Sequence, residues 1–412
     1  MKTVQQIMQE TGAEANIRNF RYMQKNYTYK QKIRHAEDVA RSYQDKCSEM
    51  GLNCHISVGG LDSITLHYFL EACGVHVPCV SCSSLEQKGV QAVHKQIAAE
   101  MENTYSAREW LGAHMALPQD EIDTITDPDT RAQEQALHDA CPPVPRMYFL
   151  KPLKPKTKVI EELGWPVLSK EIAGKISLLQ NPTPKNATVR HAIITGEYGG
   201  FQKNSRMKLS QRWLEKFGGA DEEGASLGYA AAPFKVSERC CYYLKEKPCD
   251  DWAKEHNSVP YLGLMASEGG RREKSLMMHG CNYYGKSTIR SAPFAIFSRQ
   301  DILQLALDLN VPIPAEYGEI VRDKDGTLRT TLAQRTGCTM CGFGIQLEQR
   351  PNRFDRLRSA NPKEWEFWMR HVCRDENGDW YGWGRVLDYI GVEWENEPGQ
   401  LPGQMSIEDY QT

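Results

Sequence analysis

Four cysteines in two pairs are the residues of this chain whose types and spacing most directly suggest chemistry. Cys338 and Cys341 are separated by two residues in a glycine-rich stretch, and Cys240 and Cys241 are adjacent. Thiolates spaced in this way on a turn commonly share one metal centre, and four of them hold zinc or an iron–sulfur cluster. The pattern predicts a four-thiolate metal site, and the spacing does not distinguish zinc from an iron–sulfur cluster. A redox-active Cys-x-x-Cys pair, or thiols that only fill the core, stay open as other interpretations.

A second candidate is the stretch 55–66, which has the pattern of a strand, a glycine turn and a helix. Gly59 and Gly60 allow the backbone to approach a ligand closely, and Asp62 and Ser63 follow at once. The N–H groups and positive dipole end of the following helix suit an anion, most often a phosphate. The alternative is an ordinary turn before a capped helix, since short glycine motifs are weak signals.

The elements around this turn predict a parallel sheet. A helix over 62–73 and an apolar strand over 75–81 complete a right-handed strand–helix–strand unit. Ligands of such sheets bind beyond the carboxyl ends of the strands, where Glu86 follows the second strand. Further strands are expected at 260–264 and 294–297, and Lys170 is expected on a loop. The Ser-Glu-Gly-Gly-Arg-Arg stretch at 267–272 again suits an anion.

The bulk composition limits the function classes. The 412 residues include 13 cysteines and carry a net charge of −3, so any nucleic-acid role must rest on local patches. Two basic stretches qualify, the aromatic-rich 15–35 and 202–216, although a solvated helix face is the favoured interpretation of the first. We expect a cytoplasmic protein without a membrane span or a signal peptide, with its thiols reduced.

The ordered motifs resemble those of the phosphoadenosine phosphosulfate (PAPS) reductase family, within the adenine nucleotide alpha-hydrolase-like superfamily that includes the PP-loop ATP pyrophosphatases. The resemblance covers roughly residues 50–350. It rests on Val-Gly-Gly-Leu-Asp-Ser at 58–63, Ser-Ser-Leu-Glu at 83–86, Trp-Pro-Val-Leu-Ser-Lys-Glu at 165–171, Glu-Arg-Cys-Cys-Tyr-Tyr-Leu-Lys at 238–245, Ser-Glu-Gly-Gly-Arg-Arg at 267–272 and Arg-Thr-Gly-Cys-Thr-Met-Cys-Gly-Phe-Gly at 335–344.

The resemblance implies a Rossmann-like parallel sheet with helices on both faces and a helical C-terminal cover. It divides the chain into a basic helical segment (1–50), a nucleotide-binding domain with the cysteine site (51–350) and a tryptophan-rich extension (351–412). It assigns catalysis to Asp62, Lys170 and Arg272. It also implies a [4Fe–4S] cluster, with zinc as the alternative, bound by Cys240, Cys241, Cys338 and Cys341. The implied nucleotide-binding residues are Ser57, Gly59, Gly60, Asp62, Ser63 and Glu86.

Two departures from the family pattern leave the reaction open. The family loop is usually Ser-Gly-Gly-Lys-Asp-Ser, whereas this chain has Val58 and Leu61, with Ser57 one residue earlier. The C-terminal nucleophilic-cysteine motif of sulfonucleotide reductases is also missing, and Cys373 is the only cysteine after Cys341.

Three readings follow from the resemblance. The first is reduction of PAPS or adenylyl sulfate to sulfite, with a thioredoxin-like electron donor. The second is an ATP pyrophosphatase-type sulfurtransferase that thiolates DNA or tRNA. The third is a nucleotide-binding protein with a degraded catalytic loop.

Overall fold

The chain forms two compact units. The structure, a computed structural model, describes residues 13–104, 117, 119–140, 145–199, 205–219 and 229–396. Unit 1 comprises Met1–Lys151 and Lys247–Cys338, and unit 2 comprises Pro152–Glu246 and Thr339–Thr412. The segment boundaries expected from the sequence, at 50/51 and 350/351, describe a different division and stay a prediction.

Helices dominate the described residues, and none of these helices is long and apolar enough to cross a membrane. They are α1 (Ala13–Asn26), α2 (Tyr29–Glu49), α3 (Leu61–Ala72), α4 (Lys88–Thr104), α5 (Gln119–Ile122), α6 (Pro128–Ala140), α7 (Lys156–Leu163), α8 (Lys170–Gln180), α9 (Ala187–Thr195), α10 (Gln211–Phe217), α11 (Lys247–Glu255), α12 (Gly270–His279), α13 (Arg299–Asp308), α14 (Arg353–Ala360), α15 (Pro362–Arg370) and α16 (Trp383–Ile390).

The strands are short. They are β1 (Asn53–Ser57), β2 (Cys79–Ser81), β3 (Met147–Phe149), β4 (Ser258–Tyr261), β5 (Asn282–Tyr284), β6 (Ile289–Ser291), β7 (Ile320–Arg322), β8 (Leu328–Thr330), β9 (Cys373–Arg374) and β10 (Trp380–Tyr381).

Unit 1 is built on a six-stranded, mostly parallel sheet with the order β3-β2-β1-β4-β6-β5. Strand β1 pairs in parallel with both β2 and β4, and β6 continues the parallel set beside β4. Among the described strands of this sheet, only the edge strand β5 is antiparallel to its neighbour, β6. Because the chain moves from β1 to β2 and β3 on one side and then to β4 on the other, the strand order reverses next to β1. The coarse prediction of a mixed α/β fold is confirmed.

The helix after β1 is central to the core of unit 1. Helix α3 buries Leu61, Ile64, Leu66, Phe69 and Leu70. Gly60 precedes it as the N-terminal cap residue without a side-chain hydrogen bond. The predicted helix over 62–73 is therefore confirmed to within one residue at each end.

Two local predictions were wrong. Residues 294–297 form a turn rather than a strand, with hydrogen bonds from Ala295 N to Ala292 O and from Phe297 N to Phe294 O. The neighbouring strand is β6, and the apolar run after it is fully buried all the same, because burial alone does not distinguish a strand from a buried turn. Lys170 is not on a loop but begins α8, where Ser169 Oγ accepts a hydrogen bond from Ile172 N at 3.1 Å.

Unit 2 has its own apolar core and contains three of the four motif cysteines, Cys240, Cys241 and Cys341. Helices α7–α10 and α14–α16 contribute to it, with Trp165 and Trp383 among its largest fully buried side chains. A π-helical turn, Tyr242–Glu246, directly follows Cys240 and Cys241.

Candidate anion-binding site

The turn between β1 and α3, residues 58–63, is called the glycine turn below. Ser63 Oγ accepts a hydrogen bond from Gly59 N at 2.8 Å and donates one to Gly60 O at 2.9 Å. Leu61 N donates to Tyr317 Oη at 3.1 Å. The N–H groups of Gly60 and Asp62 find no acceptor among the described residues. The turn therefore offers an anion two backbone N–H donors, fewer than a glycine turn with all of its N–H groups available.

The two glycines of the turn have different surroundings. A Cβ atom on Gly60 would stand 2.6 Å from Tyr317 Oη and 2.9 Å from Thr336 Oγ1, whereas a Cβ on Gly59 would meet nothing nearer than Glu86 Oε1 at 3.8 Å. Gly60 has φ −79°, which any residue adopts. Gly60 is thus required by close packing against a buried tyrosine, whereas a Cβ on Gly59 would make only ordinary van der Waals contacts.

Asp62, in the first turn of α3, is held by an arginine from a distant part of the chain. Arg299 Nη1 donates to Asp62 Oδ1, and Arg299 Nη2 donates to Gln334 O at 3.1 Å. Burial raises the pKa of Asp62 above its usual range, Arg299 opposes this shift and the nearby Glu268 adds to it. Arg299 therefore counteracts part of the effect of burial on the Asp62 carboxyl group.

A second carboxylate, Glu268, is paired with two arginines. Arg272 Nη1 lies 2.7 Å from both oxygens of Glu268, and Arg335 Nη2 lies 3.3 Å from Oε1. The Glu268 side chain is only 7% exposed. Asp62, Glu268, Arg272, Arg299 and Arg335 are called the arginine–carboxylate cluster below, and its three guanidiniums outnumber its two carboxylates.

The cluster borders a small cavity of about 140 Å³. Its lining consists of Asp62, Met265, Ser267, Glu268, Arg299, Gln334 and Arg335. This volume is well below the roughly 300–1,000 Å³ of a cavity that encloses a drug-sized ligand. The cavity suits a small anionic group, such as one end of a larger ligand, better than a whole nucleotide.

The sheet explains why these residues meet. Asp62 follows β1, Glu268 follows β4 and Arg299 follows β6, and these three strands are parallel neighbours. The carboxyl ends of parallel neighbours lie at one edge of a sheet, so the loops after them converge. Gly263 tightens this edge, since a Cβ there would stand 3.0 Å from the backbone of Asp62 and Ser63.

The residues that the resemblance assigns to nucleotide binding and catalysis fall into two groups. One group lies at or beside the glycine turn, and the other consists of Arg272 and Lys170. Ser57 ends β1, Ser63 organises the glycine turn, and buried Glu86 lies beside Gly59. Arg272 is exposed and is linked to the site by its ion pair with Glu268. Lys170 belongs to unit 2, where it pairs with Glu246 at 2.9 Å and lies near Cys241.

The predicted cluster cysteines are only partly brought together by the described residues. Cys240 is buried, and Cys241 and Cys341 are half-buried in unit 2. Burial raises the pKa of the Cys241 thiol, Lys170 lowers it, and the neighbouring Cys341 raises it. Cys338 is the last residue of unit 1, where its backbone bridges to Glu86. A group of three or more His, Cys, Asp or Glu side chains arranged around a metal position is not found in the described part of the chain, so the four-thiolate centre stays a prediction.

Cys373, the only cysteine after the Cys-x-x-Cys pair, is a poor nucleophile. Its side chain is 4% exposed on β9. Burial raises the pKa of the thiol to about 11, with a smaller upward effect from Glu161 and a downward one from Tyr381. At neutral pH this cysteine is therefore a protonated, buried thiol.

The basic stretches contribute fewer exposed rings than the sequence suggests. Phe20 is buried in the core of unit 1, Tyr29 donates to Asp308 Oδ2 at 2.7 Å, and Tyr22 is 61% exposed. Part of the stretch 202–216 lies outside the described residues, and α10 covers its end. Most of the N-terminal aromatic side chains thus serve packing, whereas its arginines remain on the surface.

Sequence reasoning missed Arg299, Glu268 and Arg335 as site residues. Glu268 lies within the motif at 267–272 and Arg335 within the motif at 335–344, but the sequence favours the arginines and cysteines beside them as functional residues. Arg299 had one usable signal, its position as the first helical residue after a strand, at the edge where ligands bind. Comparison of the chain with protein-family models, with curated proteins and with solved structures finds no match in any of the three.

Proposed function

We propose that the chain is an enzyme of the PAPS reductase family that binds an adenine nucleotide through its phosphates at the glycine turn. The observation that carries the proposal is the convergence of this turn with Arg299 and Arg335 around a small cavity. The strand order, with its reversal beside β1, supports the finer assignment of a Rossmann-like nucleotide-binding sheet.

The donors available at the turn match the needs of a phosphate. The N–H groups of Gly60 and Asp62 lie at the positive end of α3, a helix of 12 residues. Arg299 carries five N–H donors, of which Asp62 and Gln334 O engage a part. An entering phosphate would share Arg299 with Asp62 and Arg335 with Glu268, and charge-assisted hydrogen bonds of this kind are among the strongest in proteins.

The two substituted loop positions fit this proposal. Val58 and Leu61 are both buried in the core of unit 1, at 5% and 0% exposure. A lysine at position 61 would be directed into that core, so the positive charge here comes from Arg299 and Arg335 instead. This arrangement argues against the third hypothesis, a nucleotide-binding protein with a degraded catalytic loop.

For the reaction itself, sulfonucleotide reduction to sulfite is what the resemblance implies first. Its covalent route needs a nucleophilic cysteine, and the buried, protonated Cys373 does not fit that role. This observation favours the second candidate, an ATP pyrophosphatase-type sulfurtransferase. In that reaction an acceptor atom attacks the α-phosphate of ATP, the bond to the β-phosphate breaks, and the arginines stabilise the departing pyrophosphate.

The predicted [4Fe–4S] cluster belongs to the proposed enzyme but takes part in no step of the proposed reaction. Four thiolates suit such a cluster or zinc, and a bound cluster would supply electron transfer or structural support. The residues of this chain that act in the proposed step are the backbone donors of the turn and the arginines.

Binding and turnover together test the proposal. Calorimetric titration of the full chain, purified anaerobically, should show ATP or PAPS binding that is weakened by Arg299→Met. Arg41→Met is the matched control, because Arg41 is exposed on α2 and pairs with Glu37. Equal binding by both variants and the wild type would overturn the site assignment.

The reaction class is then read from the products. Pyrophosphate release from ATP that depends on added tRNA or DNA, together with sulfur in the recovered nucleic acid, would establish the sulfurtransferase. Sulfite release from PAPS with thioredoxin would establish the reductase. Binding without either product would leave a nucleotide-binding protein.

A further inference from the structure

A buried histidine, His94, contacts the backbone of the glycine turn. His94 lies on α4 and is fully buried, with 0% exposure. Its Nε2 is 2.8 Å from Gly59 O, and its Nδ1 is 3.0 Å from Ser83 Oγ and 3.5 Å from Ser81 Oγ. The ring therefore links the end of β2 to the turn after β1.

The hydrogen bonds fix the tautomer of His94. A carbonyl oxygen can only accept, so the bond to Gly59 O requires a proton on Nε2. In a neutral imidazole Nδ1 is then the acceptor, and the Ser83 hydroxyl donates to it. Ser83 thus holds the ring in the form that donates to the turn.

The contact controls a donor on the other side of the same peptide group. In a trans peptide the C=O of one residue and the N–H of the next point in opposite directions. Fixing Gly59 O toward His94 therefore turns the Gly60 N–H away from His94. This N–H is one of the two donors of the turn that have no acceptor among the described residues.

Glycine makes such a constraint necessary. The peptide between two glycines rotates more easily than any other, because neither residue has a Cβ to restrict its dihedral angles. A reversal of this peptide would present the Gly59 carbonyl oxygen, which repels an anion, where the Gly60 N–H now points. Gly59 N is already engaged by Ser63 Oγ, so that bond cannot replace the lost donor.

We propose that His94 is a positioning residue, which together with Ser83 holds the Gly59–Gly60 peptide in the orientation that binds an anionic ligand. The inference rests on the proposed phosphate site but concerns a residue outside every motif of the sequence. His94 does not touch the ligand. It acts through the peptide that does.

Three variants test the role. His94→Gln keeps an amide N–H near the position of Nε2, His94→Leu removes the donor, and His67→Leu is the matched control. His67 is also buried, lies on α3 and contacts Cys79 Sγ at 3.5 Å rather than the turn. Binding of ATP and of inorganic pyrophosphate is measured by calorimetry, and folding is monitored by thermal unfolding.

We expect His94→Leu to weaken binding about 10-fold or more, because the Gly60 N–H would lose its charge-assisted hydrogen bond to the anion. His94→Gln should restore most of the affinity, and His67→Leu should leave it within about 2-fold of the wild type, as for a residue outside the site. Ser83→Ala should give a smaller loss than His94→Leu. Equal losses in His94→Leu and His67→Leu, or no rescue by glutamine, would overturn the inference.

Crystal structures of the His94 variants separate this inference from the proposed function. A reversed Gly59–Gly60 peptide in His94→Leu, with the wild-type orientation in His94→Gln, supports the positioning role even if the wild type binds no nucleotide. An unchanged peptide in a folded His94→Leu protein would refute the role, whatever the outcome for nucleotide binding. If His94→Leu does not fold, the peptide orientation in Ser83→Ala and the affinity of His94→Gln still decide the matter.

Discussion

The two glycines of the turn should respond very differently to alanine. In Gly60→Ala the new Cβ would stand 2.6 Å from Tyr317 Oη and 2.9 Å from Thr336 Oγ1. Tyr317 is buried and cannot swing away without losing its hydrogen bonds to Leu61 N and Thr336 Oγ1. Gly59→Ala places its Cβ no closer than 3.8 Å to any neighbour, in ordinary contact.

The expected magnitudes follow from packing. Insertion of a methyl group into a filled space costs about 1–3 kcal/mol, and the reduced freedom of the unfolded chain returns about 0.4–1 kcal/mol when alanine replaces glycine. The net loss for Gly60→Ala is about 0–2.6 kcal/mol in the free energy of unfolding, with a central value of about 1.3 kcal/mol. For Gly59→Ala, with no clash, we expect a change of about 0.5 kcal/mol or less, or a small gain.

Urea denaturation of the two single variants measures the difference, and Tyr317→Phe provides a double-mutant test. Removal of the hydroxyl relieves the closer of the two contacts, so Gly60→Ala and Tyr317→Phe combined should cost less than the sum of the separate changes by about 0.5 kcal/mol or more. Equal stability losses for both glycines, or strict additivity with Tyr317→Phe, would refute the packing explanation for Gly60. Under the proposed function, Gly59→Ala should instead weaken nucleotide binding in a folded protein, because the added methyl group lies next to the backbone donors of the turn.

Two further predictions concern buried titratable groups. Burial, with a smaller effect of His256, lowers the pKa of His55 to about 3. Between pH 6.5 and pH 3 the unfolded chain therefore binds a proton at this histidine and the folded chain does not. The free energy of unfolding falls over that range as the pH is lowered. His55→Asn should make the fall in unfolding free energy between pH 7 and pH 4 shallower, and an unchanged slope in chemical denaturation would contradict this. Cys373, whose pKa is raised to about 11, should react slowly with iodoacetamide in the native protein at pH 7.5. Cys373→Ser should leave nucleotide turnover unchanged. Rapid labelling of Cys373, measured by mass spectrometry, or loss of turnover in a folded variant would show that this thiol is reactive.

Local patterns in the sequence were sufficient to predict the turn itself. The glycines, the acid and the apolar spacing of α3 lie within a dozen residues, so the strand–turn–helix order and the burial of Leu66 and Phe69 could be anticipated. The parallel pairing of β1 with β2 followed from the connection between them.

The partners of the turn could not be predicted in this way, because they come from distant parts of the chain. Arg299 is 237 positions from Asp62, and Tyr317 is 256 positions from Leu61. Only the sheet order brings them to one edge, and one sequence does not reveal that order. The role of Gly60 was likewise hidden, since the sequence cannot show that a tyrosine fills the space that its missing Cβ leaves.

The most direct test of the phosphate site is the affinity for ATP of three proteins measured side by side: the wild type, Arg299→Met and Arg41→Met. Loss of a charge-assisted hydrogen bond is worth about 1.5–3 kcal/mol, or roughly 10- to 150-fold in the dissociation constant. The site described here predicts a loss of this size in Arg299→Met, and wild-type affinity in Arg41→Met, with thermal unfolding showing that both variants are folded. Wild-type affinity in a folded Arg299→Met protein would contradict the central claim that the phosphates bind at the glycine turn.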